Sequence, residues 1–231
     1  MKEDILEQIF DDWLLSQRNT FTKHNVKFRP DDSSVDYNSK TDSSYSDIDI
    51  IGIHLDKSSK EKVSVVSCKS WQNGFDPKYW HNKLTNHPND IVNGKAAWKS
   101  LRELIEPKWS KPFRDKVFSE TQSYDFTYYL AVTKLIGKEA EKFKTEFEKE
   151  KRFIDNLKHN NRSKVEIKII TFKEIFLEYF QRGDSKTLEA TTVGRLLQVL
   201  KASGLKLETE VEEKTEVIKQ KKHSGRKKHS I

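Results

Sequence analysis

The chain of 231 residues contains a single cysteine, Cys68. One thiol excludes an internal disulfide bond and any zinc site built from several cysteines, and it is typical of proteins of the reducing cytoplasm. No apolar run approaches the roughly 18 residues that a membrane helix needs. The first segment, MKEDILEQIFDDW, carries acids where a secretory signal has a cationic start. We therefore expect a soluble cytoplasmic protein with no membrane partner.

Three short glycine motifs that mark common enzyme classes are also missing from the sequence. There is no GxxxxGK[ST] loop, which argues against ATP-driven chemistry within this chain. No glycine-rich dinucleotide fingerprint follows a predicted strand, and no G-x-S-x-G nucleophile motif is present. These absences disfavour nucleotide-driven motors, nicotinamide enzymes and serine hydrolases of the α/β type.

The positive charge is concentrated at the C-terminus. Lysine and arginine exceed the acids by 43 − 36 = +7, but removing the six cations of residues 217–231 leaves 37 − 36 = +1. Such a tail either adds sequence-independent affinity for a phosphate backbone or is simply solvated, and the sequence leaves both open. The cations in question are Lys219, Lys221, Lys222, Arg226, Lys227 and Lys228.

The pattern of apolar residues predicts alternating helices and strands. Helices are predicted over residues 3–17, 89–105, 138–153, 173–181 and 192–202. Strands are predicted over 26–29, 48–55, 62–71, 126–133 and 165–172, with the second and third forming a hairpin. Residues 31–46 and the Asn- and His-rich stretch 81–89 are predicted as loops, and Pro107 and Pro112 are expected to end the helix before them. The order predicts an α/β fold with a mixed central sheet flanked by helices over residues 1–207, followed by a charged, basic tail over 208–231.

Two charged residues stand at unusual places in the predicted hairpin. Asp49 interrupts the apolar run IDIIG, and Lys69 follows the apolar run VSVVSC. Neighbouring strands lie about 4.8 Å apart, so the two side chains are expected to be close in space. Charges in buried strands are costly unless they are paired or bound to a metal. The pair therefore indicates a functional site.

The segments SDIDIIG at 46–52 and VVSCKSW at 65–71 resemble the paired motifs of the PD-(D/E)XK nucleases, the restriction-endonuclease-like superfamily. The resemblance implies a restriction-endonuclease-like core, with Asp49 as a metal ligand and Lys69 as the catalytic lysine. It also implies that Glu7, on the first helix, contributes a further acid. The predicted strand–helix–strand–helix order downstream is similar to the core of that family.

The chain departs from the family pattern at Ser67, which stands where the family has the glutamate of Glu-x-Lys. A serine cannot replace an anionic ligand of a hard cation. Three interpretations remain open at this point. A carboxylate is recruited from the following helix, with Asp90 the better candidate and Glu103 the poorer one. Alternatively, Asp47, Asp49 and Glu7 hold the metal without a further acid. In the third interpretation the site is degenerate, which means that the domain binds nucleic acid without cutting it.

In the active interpretation, the resemblance implies a Mg²⁺-dependent endonuclease that hydrolyses DNA, with Mn²⁺ as a substitute metal. The ion would be held by Asp49, the Cys68 carbonyl and a further acid. Gln72 would position the attacking water or contact a phosphate. In the degenerate interpretation, the chain is a nucleic-acid-binding or assembly subunit. An RNA-directed enzyme and a homodimer or partner subunit remain open.

Overall fold

The computed structural model of the chain describes residues 5–181 and 192–203. The predicted basic tail, with Lys221, Lys222, Arg226, Lys227 and Lys228, lies outside the described residues. The helices are α1 (Ile5–Leu15), α2 (Ser39–Asp42), α3 (Pro77–Asn86), α4 (Arg102–Ile105), α5 (Pro107–Thr121), α6 (Ala140–Glu148), α7 (Lys151–Leu157), α8 (Phe172–Gln181) and α9 (Thr192–Ala202). The strands are β1 (Thr20–Phe28), β2 (Ser46–His54), β3 (Val63–Lys69), β4 (Ile91–Val92), β5 (Lys95–Ala96), β6 (Phe126–Val132) and β7 (Val165–Thr171). Short 3₁₀ turns cover Ser59–Glu61 and Ala97–Ser100.

Five strands form a mixed central sheet in the order β1-β2-β3-β6-β7. Strands β1, β2 and β3 are antiparallel neighbours, and β3, β6 and β7 run parallel. The register pairs Ile50 with Val66 across the hairpin and Ser67 with Leu130 across the parallel pair. The predicted α/β class with a mixed central sheet flanked by helices is thus confirmed.

The central strands are buried on both faces, which explains their nearly continuous apolar sequence. In β3, Val65 packs into one core and Val66 into the other, because successive side chains point to opposite faces of a strand. The larger core lies under α3 to α7 and the smaller one under α1 and α8. Both valines are completely buried, and each contributes about 1.5–3 kcal/mol by leaving water.

The prediction of one continuous helix over 89–105 is wrong. Strands β4 and β5 form a two-stranded hairpin there, followed by a 3₁₀ turn and the short helix α4. Asn93 and Gly94 turn the hairpin with φ of 50° and 78°, and an Asn-Gly pair favours this turn because both residues tolerate positive φ. The apolar residues of the segment, such as Trp98 and Leu104, are still buried as the pattern requires.

Two further expectations around this segment are corrected. Helix α3 occupies part of the stretch predicted as a loop, because the Asp76 side chain accepts a hydrogen bond from the Tyr79 amide at 3.1 Å and Pro77 suits the first helical position. Pro107 begins α5 rather than ending a helix, since an N–H is not needed in the first turn. Helix α5 continues through Pro112.

Other boundaries differ more modestly. The charged helix predicted over 138–153 is two helices, α6 and α7, and the Glu150 side chain caps the second by accepting from the Arg152 amide at 3.1 Å. Strand β1 begins at Thr20, six residues before the prediction. The predicted loop over 31–46 contains α2, whose fully buried Asp42 accepts a hydrogen bond from Lys108 at 2.9 Å.

Candidate active site

A polar cavity of about 220 Å³ opens at the carboxyl end of β3. Because β2 runs antiparallel to β3, the first residues of β2 lie at this same edge of the sheet. The opposite wall is formed by the segment that runs from β5 to α4. The lining residues are Tyr45, Ser46, Asp47, Ser67, Lys69 and Trp71 from the sheet side and Lys95, Lys99, Ser100, Arg102 and Glu103 from the opposite side.

Asp49 is buried, with 8% of its surface exposed, and it does not itself line the cavity, but its charge interacts with those of Lys69 and Asp47, which do. Its Oδ2 accepts a hydrogen bond from the Cys68 amide at 2.5 Å, which fixes the carboxyl group against β3. Burial raises the pKa of Asp49 to about 7, while the Lys69 ammonium and the Cys68 amide oppose this rise. The charges of Glu7 and Asp47 raise it further. The structure therefore brings Asp49, Lys69, Glu7 and Asp47 into one electrostatic group.

Lys69 lies half-buried at the end of β3 and lines the cavity. Ser67, two residues earlier, points to the same face of the strand and is buried. Its hydroxyl interacts with the phenol of Tyr128 on the neighbouring strand β6. Ser67 is thus part of a buried polar network at the position where the family pattern has a glutamate.

The network ends on Glu103. The fully buried Tyr128 hydroxyl donates a hydrogen bond to Glu103 Oε1 at 2.5 Å. Burial, together with the negative charges of Glu103 and Asp49, raises the pKa of Tyr128 well above its ordinary value, so the phenol stays a donor. Glu103 is 6% exposed and also lines the cavity. A carboxylate from α4 therefore lies next to Ser67.

Asp90, the preferred substitute acid in the sequence prediction, lies elsewhere. Its side chain forms an ion pair with Lys83 at 2.5 Å, and this contact lowers the pKa of Asp90. Half of the Asp90 side chain is exposed, and it does not line the cavity among the described residues. Of the two acids considered from the sequence, the structure brings Glu103, not Asp90, to the site.

Of the remaining predicted site residues, only Asp47 lines the cavity among the residues that the structure describes. Asp47 is exposed on its wall, and Glu7 is half-buried on α1. Cys68 is buried in the smaller core, as its apolar neighbours predict. Gln72 is exposed in the turn after β3 and is not part of the cavity lining that the structure describes.

The sequence prediction missed the cations Lys95, Lys99 and Arg102 of the opposite wall. In a helix over 89–105 they form a polar outer face, which needs no functional explanation. Recognising Asn93-Gly94 as a hairpin turn would have removed that helix and left three cations on an irregular segment close after the lysine strand.

Among residues 5–181 and 192–203, no three His, Cys, Asp or Glu side chains lie close enough together to hold a metal ion. Mg²⁺ does not require such a cluster, because it is usually held by one or two carboxylates, waters and substrate phosphates. Asp49 and Glu103 supply oxygen donors of the right chemistry, and both charges act on the same Tyr128 phenol. The donors present therefore fit Mg²⁺ in kind and in the number it commonly uses.

The part of the chain that the structure describes contains no helix that is both long and apolar enough to cross a membrane. No family model, curated protein or solved structure matches the chain.

Proposed function

We propose that this chain is a metal-dependent endonuclease that hydrolyses phosphodiester bonds of DNA. The observation that carries the proposal is the meeting of Asp49 and Lys69 on adjacent strands at the edge of one polar cavity. Their placement follows from the antiparallel pairing of β2 and β3, so the motif spacing and the geometry agree. A single cysteine, which cannot form an internal disulfide bond, favours a cytoplasmic protein.

The order of elements also supports the proposal. A helix precedes three antiparallel strands, and β6 and β7 then add in parallel with helices between them. This agrees with the helix, strand and crossover order that the resemblance to the PD-(D/E)XK nucleases implies. The pairing places the two motif strands β2 and β3 side by side near the centre of the sheet.

Asp49, Glu103 and the Cys68 carbonyl are the groups that would hold Mg²⁺ or Mn²⁺ in this proposal. When bound, the ion supplies Lewis-acid polarisation of the scissile phosphate and a lowered pKa for an attacking water. Tyr128 orients Glu103 through its 2.5 Å hydrogen bond, and the Cys68 amide orients Asp49 in the same way. Such supporting hydrogen bonds commonly change metal affinity or activity by about 10- to 100-fold.

Lys69 is the cation that would act on the substrate. Its ammonium group lines the cavity next to Asp49, where it can orient a water molecule and stabilise negative charge that develops on the phosphate oxygens. Stabilisation of developing charge is often the largest contribution to catalysis because the donor is positioned before the reaction. In this proposal, Lys69 is the catalytic residue closest to the reacting phosphate.

A larger groove of about 690 Å³ lies along β1 and α5. Tyr45 lines both the cavity and the groove. The Arg29 guanidinium lies over the Tyr45 ring, 4.9 Å from the ring centroid. Four lysines also line the groove together with three acids, so cations, including Arg29, are in excess; these residues are Lys27, Lys108, Lys111, Lys116, Asp31, Asp36 and Asp115. Cations and an exposed aromatic ring along one path suit a nucleic-acid strand, which presents phosphates and flat bases.

Incubation of purified full-length protein with supercoiled plasmid and single-stranded DNA tests the proposal. The reactions contain Mg²⁺, Mn²⁺ or EDTA, and Asp49→Asn is run beside the natural chain. We expect metal-dependent nicking that the variant loses. Cleavage that persists in EDTA, or equal activity of the variant, would show that this site is not the one responsible.

A second candidate function is a degenerate nuclease-fold subunit that binds nucleic acid without cutting it. The observation that favours it is the Ser67–Tyr128–Glu103 network, in which the only buried acid on the cavity wall that the structure describes is already hydrogen-bonded. If the chain is such a subunit, it slows the migration of DNA in a gel-shift assay, but it does not cleave DNA with any metal ion.

A further inference from the structure

Three cations outside the Asp49–Lys69 pair converge on the cavity from different local elements. Lys95 belongs to β5, Lys99 to the following 3₁₀ turn and Arg102 to α4. With Lys69 they make four cations on the cavity wall against two acids, Asp47 and Glu103. Within the wall of one small cavity, positive charge is therefore in excess.

These three cations are only partly compensated by neighbouring acids, because the charges of Glu103, Asp42 and Asp47 act on Arg102. Within residues 5–181 and 192–203, none of them has a carboxylate within ion-pair distance, although many surface lysines of the chain do. Arg102 instead lies over the Trp109 ring at 4.2 Å, and Lys99 lies 5.7 Å from the Trp98 ring centroid. Burial and the charges of Lys69 and Arg102 lower the pKa of Lys95, which is the expected effect of crowded cations.

The chemistry of this wall favours a phosphate group as the ligand. A guanidinium presents a planar fork of N–H donors that matches two phosphate oxygens, and stacking on Trp109 holds the Arg102 fork in place. Lys95 and Lys99 add flexible point charges from the hairpin side. Apart from Trp71 and Tyr45 the lining side chains are polar, so the cavity does not suit an apolar ligand.

We propose that Lys95, Lys99 and Arg102 form a phosphate-binding subsite beside the Asp49–Lys69 pair. The subsite holds a second phosphate of the strand whose scissile phosphate lies at Lys69. Naming DNA as the source of that phosphate rests on the proposed function. The phosphate is either an internal diester or the phosphate at a strand end, and the experiment below separates these two sources.

The test measures binding of a single-stranded DNA oligonucleotide by fluorescence anisotropy in EDTA over a series of salt concentrations. The double variant Lys95→Met, Lys99→Met keeps the side-chain stems and removes two charges. The matched control, Lys62→Met with Lys149→Met, removes two exposed lysines away from the cavity. We expect the slope of log K against log salt to fall by up to about 0.7 in the first variant, the value for the one phosphate that the subsite holds, and to stay unchanged in the control.

Two forms of the oligonucleotide identify the phosphate. If the loss of affinity occurs only with a 5′-phosphorylated strand, the subsite holds a terminal phosphate. If it is equal for 5′-phosphate and 5′-hydroxyl strands, the subsite holds an internal diester. A double variant that binds both strands with the affinity and salt slope of the control overturns the proposal.

This outcome is independent of cleavage, because binding is measured without metal. A natural chain that fails to cut DNA in Mg²⁺, while the double variant loses affinity, would refute the endonuclease and retain the subsite. Metal-dependent cutting with no difference between the two double variants would refute the subsite alone. The basic tail contributes equally to both variants, so it cancels in the comparison.

Discussion

Glu103 is the residue on which the active interpretation depends most. It is supplied by a short helix rather than by the lysine strand, and its carboxylate is oriented by the buried Tyr128 hydroxyl at 2.5 Å. Ser67 contacts the same phenol from the position of the missing glutamate. In the proposed site, the two residues together take the place of the glutamate of Glu-x-Lys that the resemblance implies. In the proposed site, Glu103 therefore supplies the missing acid.

Glu103→Gln should reduce metal-dependent DNA cleavage by about 10- to 100-fold, because the amide keeps the hydrogen bond from Tyr128 but removes the anionic donor. Single-turnover nicking of a plasmid at saturating Mg²⁺ measures this. Asp90→Asn is the control, since Asp90 pairs with Lys83 outside the cavity lining. A larger loss in Asp90→Asn than in Glu103→Gln would reverse our assignment.

Two buried groups have pKa values shifted in ways that affect stability in opposite directions. His54 lies between Thr20 Oγ1 and Ser64 Oγ, each 2.8 Å from a ring nitrogen, and burial lowers its pKa to about 4. The unfolded chain therefore binds more protons at His54 between about pH 4 and 6.5, so its contribution to stability is lost as the pH falls. Asp49 has the opposite effect, because its pKa is raised to about 7 in the folded chain. The folded chain therefore binds more protons at Asp49 than the unfolded chain does, and this contribution to stability is lost as the pH rises towards 7.

We expect the natural chain in EDTA to show little change of unfolding free energy between pH 5 and 7, because the two effects are each about 2 kcal/mol over that range and nearly cancel. His54→Gln should leave the Asp49 effect alone, so that stability falls by about 2 kcal/mol from pH 5 to 7. Asp49→Asn should show the opposite slope. Urea unfolding of the three proteins at both pH values tests this, and parallel slopes would contradict the stated shifts.

At the scale of elements, the sequence predicted the strands of the central sheet better than the helices. Strands such as β3 and β6 are buried on both faces, so their apolar runs are strong signals. The segment between β3 and α5 was mispredicted, because its apolar spacing over 89–105 resembles a helix while Asn93-Gly94 dictates a hairpin. Local turn chemistry outweighed apolar periodicity there.

Gly137 and Gly94 provide a matched test of local backbone requirements. Gly137 has φ of 100°, and a Cβ there would lie 2.9 Å from Asp76 Oδ2, the side chain that caps α3. Gly94 has φ of 78° with no atom within 4 Å of such a Cβ. We expect Gly137→Ala to cost about 2–3 kcal/mol of unfolding free energy and Gly94→Ala about 1 kcal/mol.

Urea unfolding at neutral pH gives both values. A loss in Gly94→Ala that equals or exceeds the loss in Gly137→Ala would show that the Asp76 cap is not disturbed by the added methyl group, and would contradict the geometry described for this turn.

At the scale of the whole molecule, the candidate site was predictable only where it lies on regular strands. Asp49 and Lys69 could be placed together because hairpin pairing follows from two strands and a short linker. Glu103 and the cations of the opposite wall could not, because their position depends on how the chain folds back over the sheet after α3. Asp90 was favoured by its position at the start of the helix predicted over 89–105, where the structure has the β4–β5 hairpin instead.

The net charge of the molecule also leads to a prediction. Deletion of residues 217–231 removes six cations and no acid. If these lysines and arginines contact DNA, the salt slope of duplex binding should decrease by up to about 5, from about 0.9 per contact. Anisotropy with a duplex oligonucleotide in EDTA measures this, and an unchanged slope would exclude the tail from binding.

The most direct test of the central claim compares the lysines at the two ends of β3, Lys69 as its last residue and Lys62 immediately before its first. Lys69→Met removes the cation beside Asp49, whereas Lys62→Met removes an exposed lysine just before the opposite end of the same strand. Single-turnover nicking of plasmid DNA in Mg²⁺ is measured for both, with DNA affinity measured in EDTA. We predict that Lys69→Met loses at least about 100-fold in nicking rate, as expected for removal of a preorganised charge-stabilising group, while it retains its fold and most of its affinity. Equal nicking rates for the two variants would contradict the assignment of this cavity as a nuclease site.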